Sequence, residues 1–560
     1  MRGAERAAGF AENFPLLRLL RRGSNRFNLE LLLVLAVSGL SSALLLVIVN
    51  AAAEQAVNEL VSGWYLALFA IVMTSYGFSQ RHVLRTSVVE VERILDGIRT
   101  NIADGIRHAD LIAMERIGRA RIYAGLTRET QTISQMAGAL MIASQSLLLV
   151  LFTTVYLAWL SPLAFVLAIV VTASGVFVHL RHAGEYRRLL RSATEQEHAF
   201  IESVGHLLDG FKEVKMSEPR SEDLYTYLRE LSQRLSKTKV QADESQVVHF
   251  LSAQAAFYIL VASIVFLLPR LTPTFSEVVI KSTAAILFII GPLSGVVGAL
   301  PLFAAANVAA QNIFDLEELV TGAGAEPGTG GVPPKTNVGT IEMRQTVFQY
   351  LDGKGVPLFT LGPTDLSIPQ GQMLFVVGGN GSGKSTFLKV LTGLYAPHQG
   401  VVCLDDTAIS RGNAAWYRSH FSAVFSDYHL FDRVFGHRDT DDGYVNELLV
   451  KVRLNDKTSY RDQRFTTLDL STGQRKRLAL VVTLIEDRPV LVFDEVAADQ
   501  DPEFRKYFYE GILPELHRRG KTVIVATHDD AYFGLADRII KLQDGRVFKD
   551  EIPPAKENRT

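Results

Sequence analysis

Residues 378–386 read Gly378-Gly379-Asn380-Gly381-Ser382-Gly383-Lys384-Ser385-Thr386 and fit the pattern G-x-x-x-x-G-K-[ST]. An apolar run at 373–377 precedes this stretch and a segment with helical spacing follows it, so the pattern stands between a predicted buried strand and a predicted helix. Glycines let backbone N–H groups crowd around phosphate oxygens, and the helix N-terminus adds partial positive charge. Lys384 is predicted to neutralise the outer phosphates and Ser385 to hold Mg2+. The stretch therefore predicts a nucleotide site.

Charge balance and cysteine content exclude several classes of protein. The 560 residues include 57 Lys and Arg against 59 Asp and Glu, a formal net charge of −2. A nucleic-acid partner held by bulk charge would need a basic excess, so no such partner is expected. The single cysteine, Cys403, excludes an intramolecular disulfide. The length allows two or more domains.

Long uncharged runs in the first 310 residues predict membrane-spanning helices. A helix needs about 20 apolar residues to cross the hydrocarbon core of a bilayer. We predict six such spans, at about 31–53, 62–80, 136–159, 162–180, 250–269 and 283–310. These runs lack the polar stripe that a buried helix of a soluble protein would show at helical period. Residues 1–320 are therefore predicted to form a bundle of six transmembrane helices.

The positions of Lys and Arg predict how this bundle is oriented. Arg is concentrated in the N-terminal arm (1–28) and in segments 81–129 and 181–244, the last of which also contains Lys, whereas the turns after the first and third spans contain neither residue type. The basic segments should therefore face the cytoplasm. The first apolar run is longer than the core of a signal peptide, so we expect a retained anchor. Helical periodicity continues into both basic segments, where 109–123 and 207–217 are candidate docking bends, although solvated charged helices are an equal alternative.

The second half of the chain has the pattern of an α/β domain. A Gly- and Pro-rich stretch in 321–339 predicts a linker, and 340–560 alternates short β-rich runs with helical segments. This alternation predicts a largely parallel sheet with an antiparallel appendage. The apolar run 490–493 ends in Asp494 and Glu495, at the sheet edge where such folds bind ligands. Asp494 is predicted to bind the Mg2+ shell and Glu495 to act as general base toward water.

A second predicted helix begins with Ser471-Thr472-Gly473-Gln474 and continues into a basic segment. A serine and a glycine at a helix start can form an anion site, because the free N–H groups point toward the ligand. Ser471 is also well suited to be a simple N-cap. Taken alone, the four residues favour the cap.

Together, the motifs GGNGSGKST, LSTGQ and VLVFDE, followed by Thr527-His528, resemble the ATP-binding cassette superfamily, and the six preceding spans resemble its exporter half-transporters. The longer stretches LSTGQRKRLAL and FDEVAADQDP are similar to the branch that exports cyclic or siderophore-type peptides, such as syringomycin-like and pyoverdine-like products. The resemblance implies a type I/IV exporter-like membrane helical bundle followed by an α/β P-loop domain. It also implies ATP and Mg2+ as cofactors and a homodimer, with ATP between the phosphate loop of one subunit and the LSTGQ motif of the other.

The same resemblance implies roles for single residues. Tyr350 would stack on adenine, and His528 would hold the γ-phosphate and the water. The motif 471–474 would contact the γ-phosphate from the partner subunit, and Asp501 would couple the two sites.

Two positions depart from the family pattern. Thr472 stands where glycine is usual, which adds a side chain near phosphate. In Val424-Phe425-Ser426-Asp427, Ser426 stands where a glutamine usually contacts Mg2+ and senses the membrane domain. Ser426 acting through water or Asp427 could take that role, and the sequence leaves the choice open.

The sequence thus predicts a homodimeric ATP-driven exporter in the bacterial cytoplasmic membrane, with its N-terminus and ATP-binding domain in the cytoplasm. Its cargo would be a peptide or peptide-like natural product, meaning a cyclic peptide, siderophore or lipopeptide. A lipid or multidrug exporter is the alternative within transport, because an uncharged lumen suits amphipathic molecules. An ATP-gated or signalling membrane protein without net pumping is the alternative from another class, disfavoured by the presence of both Asp494 and Glu495.

Overall fold

The computed structural model describes residues 14–23, 30–58, 62–271, 276–322, 338–437 and 439–553. The chain divides into two compact units, one formed by Met1–Ile98 with Gly125–Ile313 and the other by Arg99–Ala124 with Phe314–Thr560. The sequence predicts a domain boundary after residue 320, whereas the contacts also place the segment 99–124 in the C-terminal unit. Most of the predicted linker, 323–337, lies outside the described residues.

Long helices make up the described part of the first 322 residues. They are, in chain order, α1 (Pro15–Gly23), α2 (Glu30–Asn58), α3 (Gly63–His108), α4 (Leu111–Ile117), α5 (Arg119–Ala124), α6 (Thr130–Leu160), α7 (Pro162–Asp209), α8 (Phe211–Lys215), α9 (Glu218–Ala262), α10 (Leu268–Leu271) and α11 (Ser276–Gly322). Turns of π-helix at Gly125–Glu129 and Ser263–Leu267 join neighbouring helices. The predicted spans fall within these helical stretches, and the short helices α4 and α8 occupy the two predicted bends.

A tight reversal separates α6 from α7, where two predicted spans fold back on each other. Ser161 adopts an extended backbone, and its hydroxyl accepts a hydrogen bond from the Ala164 N–H at 3.3 Å. Pro162 occupies the first turn of α7, where a missing N–H breaks no helical hydrogen bond. A serine N-cap followed by proline therefore ends one helix and starts the next within a single residue.

The apolar surface of these helices requires a hydrocarbon environment. Among the described residues, four helical stretches are long and apolar enough to cross a membrane: Leu33–Ala56, Arg119–Leu160, Gln254–Leu271 and Glu277–Gly322. In the most apolar 18 residues of Leu33–Ala56, only 44% are buried within the protein. In the corresponding part of Glu277–Gly322, only 11% are buried. Soluble proteins rarely expose continuous apolar surface of this extent. The apolar segment Pro162–Ser174 is shorter, and the predicted span 62–80 is not among the four.

The described part of the C-terminal unit contains two main sheets. Its strands are β1 (Thr340–Leu351), β2 (Pro357–Pro369), β3 (Met373–Val377), β4 (Gln399–Leu404), β5 (Thr407–Ala408), β6 (Phe421–Val424), β7 (Tyr460–Arg461), β8 (Arg464–Phe465), β9 (Val490–Asp494), β10 (Thr522–Ala526), β11 (Arg538–Gln543) and β12 (Arg546–Glu551). Its helices are α12 (Lys384–Leu391), α13 (Ala414–Arg418), α14 (Asp442–Lys451), α15 (Thr472–Glu486), α16 (Pro502–Tyr507) and α17 (Leu513–Arg518). A π-turn, Phe508–Ile512, joins α16 to α17, and a 3-10 turn, Asp530–Leu535, precedes β11.

Strand pairing in the larger sheet brings the site residues together. The order is β12-β11-β3-β10-β9-β6, and only the pairing of β11 with β12 is antiparallel. The three central strands, β3, β10 and β9, are buried at every position, as strands covered on both faces should be. Parallel strands end at the same edge, so the loops after them emerge side by side. The predicted largely parallel core is confirmed.

A β-bulge in the four-stranded sheet, ordered β2-β1-β4-β5, requires a glycine on the facing strand. Gln345 has a φ of 46°, and its N–H donates to Asp365 Oδ1 at 2.8 Å, which holds this left-handed backbone in place. Gly400 faces the bulge with a φ of 74°. A Cβ on Gly400 would collide with the carbonyl oxygens of Arg344 and Gln345, so only glycine fits there.

Gly400→Ala should therefore destabilise the nucleotide-binding half. Backbone strain and the collision together should lower the temperature of thermal unfolding by about 5–10 °C. Differential scanning fluorimetry of the purified full-length protein measures the shift. Gly353→Ala is the matched control, because a Cβ there meets open space. Equal unfolding temperatures for the two variants would contradict the steric argument.

Candidate nucleotide-binding site

The phosphate loop, residues 378–383, connects the buried strand β3 to helix α12. Gly381 and Gly383 have φ values of 76° and 99°, which other residues adopt only with strain. A Cβ on Gly383 would also lie 2.8 Å from Phe359 Cζ. The loop ends directly at the N-terminus of α12, where the first N–H groups have no helical partner. These glycines are thus required by the fold of the loop as well as by the approach of a phosphate.

Lys384 lies at the centre of the site and is only 6% exposed. Its Nζ donates to the carbonyl oxygens of Gly378 at 3.1 Å and Gly379 at 3.3 Å. The same amine lies 2.8 Å from His528 Nε2 and 3.4 Å from Glu495 Oε1. The buried ammonium is therefore held between loop carbonyls and the side chains that follow β9 and β10, where it can meet a phosphate.

A hydroxyl and a carboxylate lie together beside the loop. Ser385 Oγ donates to Asp494 Oδ2 at 2.8 Å, and the backbone N–H of Ser426 donates to the same oxygen at 3.4 Å. Asp494 Oδ1 is buried and has no hydrogen-bond partner among the described residues. Hydroxyl and carboxylate oxygens are preferred ligands of Mg2+, and a buried carboxylate oxygen without a donor is suited to a cation. Ser385 and Asp494 are therefore suited to hold a Mg2+ ion.

Glu495 and His528 follow neighbouring strands and contact each other through Oε1 and Nε2 at 2.8 Å. Glu495 has a φ of 53°, an uncommon conformation for a residue other than glycine and one that clusters at functional sites. Its N–H donates to the Ala526 carbonyl at 3.1 Å, and its own carbonyl accepts from Lys476 Nζ at 2.9 Å. The backbone is thus fixed on both sides of Glu495 at the edge of the sheet, and its carboxylate contacts His528.

The two predicted replacements for the family's glutamine have different surroundings. Ser426 offers its backbone N–H to Asp494, as described above, whereas Asp427 Oδ2 lies 3.4 Å from Lys389 Nζ. Ser426 therefore lies beside Asp494, which is predicted to hold Mg2+. Asp427 belongs to a separate ion pair with Lys389. The functional assignment of either residue stays a prediction.

Comparison with known proteins agrees with this geometry. A family model described as "ABC transporter" matches residues 361–498. The chain is 33% identical over 555 residues to the ATP-binding protein SyrD of Pseudomonas syringae pv. syringae, covering 96% of each protein. The chain is an ABC exporter half-transporter. It is an integral membrane protein that binds ATP and couples its hydrolysis to transport, which confirms the predicted family and enzyme class.

Two further similarities place this exporter among its relatives. It is 27% identical over 452 residues to the ATP-dependent lipid A-core flippase of Vibrio cholerae serotype O1, covering 76% of this chain and 75% of the flippase. The solved structure of a bacterial Atm1-family ABC exporter with ATP bound matches with a TM-score of 0.73 at 16% identity, over 93% of this chain and 94% of that one. The structural match confirms the predicted fold class, a helical membrane domain followed by an ATP-binding cassette.

The motif 471–474 of the exporter forms a capping box within its own chain. The Ser471 hydroxyl accepts from the Gln474 N–H at 3.4 Å, while the Gln474 side chain accepts from the Ser471 N–H at 3.0 Å. The N-cap alternative is thus observed, and the box fixes the start of α15. Ser471 and Thr472 are exposed, and Gly473 lies so close to Asp499 that a Cβ would approach its carbonyl oxygen to 2.6 Å. The contact of this motif with a partner's nucleotide stays a prediction.

Asp501 also has a structural role of its own. Its carboxylate accepts from the Phe504 N–H at 2.9 Å and so caps α16, and it forms an ion pair with Arg477. The hydrogen bond from Phe504 and the charge of Arg477 hold the pKa of Asp501 below its usual range. Arg477 also lies 4.0 Å from the centre of the Phe504 ring. The predicted coupling between two sites is untested.

The sequence reasoning missed Lys476. This lysine is nearly buried, donates to the Glu495 carbonyl and pairs with Asp499 Oδ2 at 2.6 Å. It therefore joins the motif at the start of α15 to the backbone of Glu495. The basic run Arg475-Lys476-Arg477 was visible in the sequence, but only the helical register in the structure turns its middle residue inward.

Lys384→Met should weaken binding of MgATP. Replacing a charged donor by a methyl thioether of similar length should cost about 1.5–3 kcal/mol, or roughly 10- to 100-fold in dissociation constant. Isothermal titration calorimetry on the purified exporter measures the affinity. Lys354→Met, at an exposed turn position, is the control. An unchanged affinity in the Lys384 variant would contradict its assignment to phosphate.

Proposed function

We propose that two copies of this protein form a homodimer that exports a peptide or peptide-like natural product across the bacterial cytoplasmic membrane. The observation that carries the cargo class is the likeness of LSTGQRKRLAL and FDEVAADQDP to the branch that exports cyclic and siderophore-type peptides. The similarity to SyrD over nearly the whole of both chains, against partial and lower similarity to a flippase, supports the same branch.

The proposed arrangement has six membrane crossings within residues 1–320, with the N-terminus and the cassette domain, 340–560, in the cytoplasm. Four apolar helical stretches support four of these crossings, the apolar runs at 62–80 and 162–180 support the other two, and the basic segments between them support the orientation. Each subunit has one phosphate loop and one 471–474 motif whose Ser471 and Thr472 are exposed, so two subunits can complete two ATP sites. The partners are therefore a second copy, the lipid bilayer and the cargo.

We assign the phosphates of ATP to the loop 378–386 and to Lys384. Ser385 and Asp494 would hold Mg2+, which when bound neutralises charge on the phosphates. Adenine would stack on Tyr350. Ser471, Thr472, Gly473 and Gln474 of the partner would close the site over the γ-phosphate, and Asp501 would link the two sites.

Hydrolysis would then depend on Glu495 and His528. Glu495 would accept a proton from the attacking water, with its backbone fixed on both sides and its carboxylate in contact with His528. His528 Nε2 lies 2.8 Å from both Lys384 Nζ and Glu495 Oε1, and a single ring nitrogen can accept from the first or donate to the second. When a phosphate binds the Lys384 ammonium, that ammonium no longer needs to donate to His528. The His528 tautomer with its proton on Nε2, which donates to Glu495, is then favoured. Preferential ATP binding to the closed dimer drives the membrane helices between states.

Glu495→Gln should abolish turnover while ATP stays bound. Removal of a general base should reduce kcat about 10²- to 10⁴-fold, because the amide cannot take the proton. Phosphate release and filter binding of ATP to the purified protein separate the two effects. Glu510→Gln, at an exposed ion pair with Lys506, is the matched control. Wild-type ATPase in the Glu495 variant would refute the assignment.

The cargo class is tested by stimulation of ATPase and by uptake into inside-out vesicles. A cyclic lipopeptide should stimulate saturably and be concentrated against its gradient, and the Glu495→Gln protein should do neither. A lipid A-core glycolipid should leave turnover at its basal rate. Stimulation by the glycolipid alone would favour a lipid exporter, the second candidate supported by the similarity to the flippase. ATP-dependent flux without accumulation would favour an ATP-gated protein.

A further inference from the structure

Helix α4, which follows the long helix α3, packs on the nucleotide-binding fold as part of the same compact unit. Leu111 and Ile112 lie against the hydrophobic core of that fold. Asp110, just before the helix, lies 3.7 Å from Arg411 as an ion pair. These contacts dock the helix. Glu115, one turn later, makes a contact of a different kind, because it joins a chain of hydrogen bonds that ends at Tyr350.

The chain runs through a buried tyrosine. Tyr395 is 1% exposed, and its hydroxyl donates to the two carboxylate oxygens of Glu115 at 3.0 and 2.9 Å. The Tyr350 hydroxyl donates to the Tyr395 hydroxyl at 3.1 Å. Burial, with the hydrogen bonds to Tyr350 and Glu115, raises the pKa of Tyr395 well above its ordinary value, so the hydroxyl stays protonated.

The chemistry of the groups fixes the direction of this chain. A carboxylate only accepts hydrogen bonds, so the Tyr395 proton points to Glu115. The Tyr395 oxygen is then free to accept, and the Tyr350 proton points to it. An amide in place of Glu115 could donate instead, which would reverse or break the chain. The carboxylate at position 115 therefore sets the orientation of the Tyr350 hydroxyl.

Ring packing transmits the same constraint to the aromatic part of Tyr350. Tyr395 stacks on Phe348 with ring centres 4.8 Å apart and an interplanar angle of 4°. The Tyr350 ring stands edge-on to both, at 5.2 Å from Phe348 and 5.8 Å from Tyr395, each with an angle of 89°. A shift of Tyr395 must therefore move or loosen Tyr350.

A lysine holds the other side of the Glu115 carboxylate. Lys389 Nζ lies 3.6 Å from Glu115 Oε1 and 5.5 Å from the centre of the Tyr395 ring. It also lies 3.4 Å from Asp427 Oδ2, next to the residue that donates to Asp494. The Glu115 carboxylate is thus fixed by the Lys389 ammonium and the Tyr395 hydroxyl. A residue that served only as a surface charge would not need both contacts.

We propose that Glu115 is a positioning residue of the ATP site, which orients Tyr350 for the base through Tyr395. The proposal rests on the proposed assignment of adenine to Tyr350. It makes recognition of the base depend on whether helix α4 is docked, because the carboxylate that directs the chain lies on that helix. Movement of α4 would thereby change the affinity for ATP, because it would change how Tyr350 is oriented for the base.

The test is the preference of the full-length exporter, in lipid nanodiscs, for ATP over UTP, whose pyrimidine stacks less. Glu115→Gln should raise the KM for ATP about 2- to 10-fold, the effect of one lost hydrogen bond, with kcat and the KM for UTP nearly unchanged. Tyr395→Phe, which removes only a hydroxyl, should do the same. The double variant should be no worse than either single variant, because both interrupt one chain.

Asp110→Asn is the matched control, because it removes one partly exposed ion pair beside the same helix, while Leu111 and Ile112 still hold the helix against the core and the hydrogen-bond chain is untouched. It should leave the ratio of the two KM values as in the wild type. An equal change in that ratio for the Asp110 and Glu115 variants would reduce Glu115 to a docking contact and overturn the proposal.

Tyr350→Leu separates the proposal from its premise. If this variant loses the preference for ATP while Glu115→Gln and Tyr395→Phe keep it, Tyr350 binds the base and the positioning chain is wrong. If Tyr350→Leu keeps the preference, the adenine assignment fails and the proposal fails with it. Loss of preference in all three supports the proposal.

Discussion

Parallel pairing of β3, β10 and β9 is the constraint on which the ATP site of this exporter depends. Each strand is buried throughout and ends at the same edge, so the phosphate loop, the Asp494–Glu495 pair and the Thr527–His528 pair must emerge next to one another. These loops therefore bring together four side chains, those of residues 384, 494, 495 and 528, although the first and last of these positions are more than 100 residues apart in sequence. A shift of β9 by one residue would turn Asp494, the last residue of that strand, to the other face of the sheet.

The site is organised around charges that are only partly compensated within one chain. Lys384 is nearly buried and lies between two carbonyls, His528 and Glu495, whereas one oxygen of Asp494 has no donor among the described residues. Buried groups in this condition are costly unless a ligand completes them. A polyphosphate with its cation would complete that oxygen and give Lys384 a further anionic partner, so ATP binding would offset part of the cost of the site.

One half of the chain must be stable in the lipid bilayer and the other half in water. Its membrane helices leave most of their apolar surface uncovered by protein, whereas the cassette closes two dense cores on the faces of its sheet. The segment Arg99–Ala124 crosses this division in sequence, since it continues from the part of α3 that belongs to the first unit yet packs with the cassette. Glu115 lies on that segment, which explains why a residue of the membrane half of the sequence can reach the tyrosine assigned to adenine.

The amino-acid sequence alone was enough to predict the family, four helices of membrane-spanning length and the residues at the strand ends. These features depend on local patterns: a glycine loop before a helix, apolar runs of bilayer length, and two acids after an apolar strand. It left Ser471 between a cap and an anion site, and gave no reason to select Lys476 or Glu115. The three-dimensional structure shows the cap at Ser471, and it brings out Lys476 and Glu115, because Lys476 lies on the inward face of a helix and Glu115 meets Tyr395 across 280 residues of sequence. Contacts of that kind arise from packing between distant elements, which no local spacing encodes.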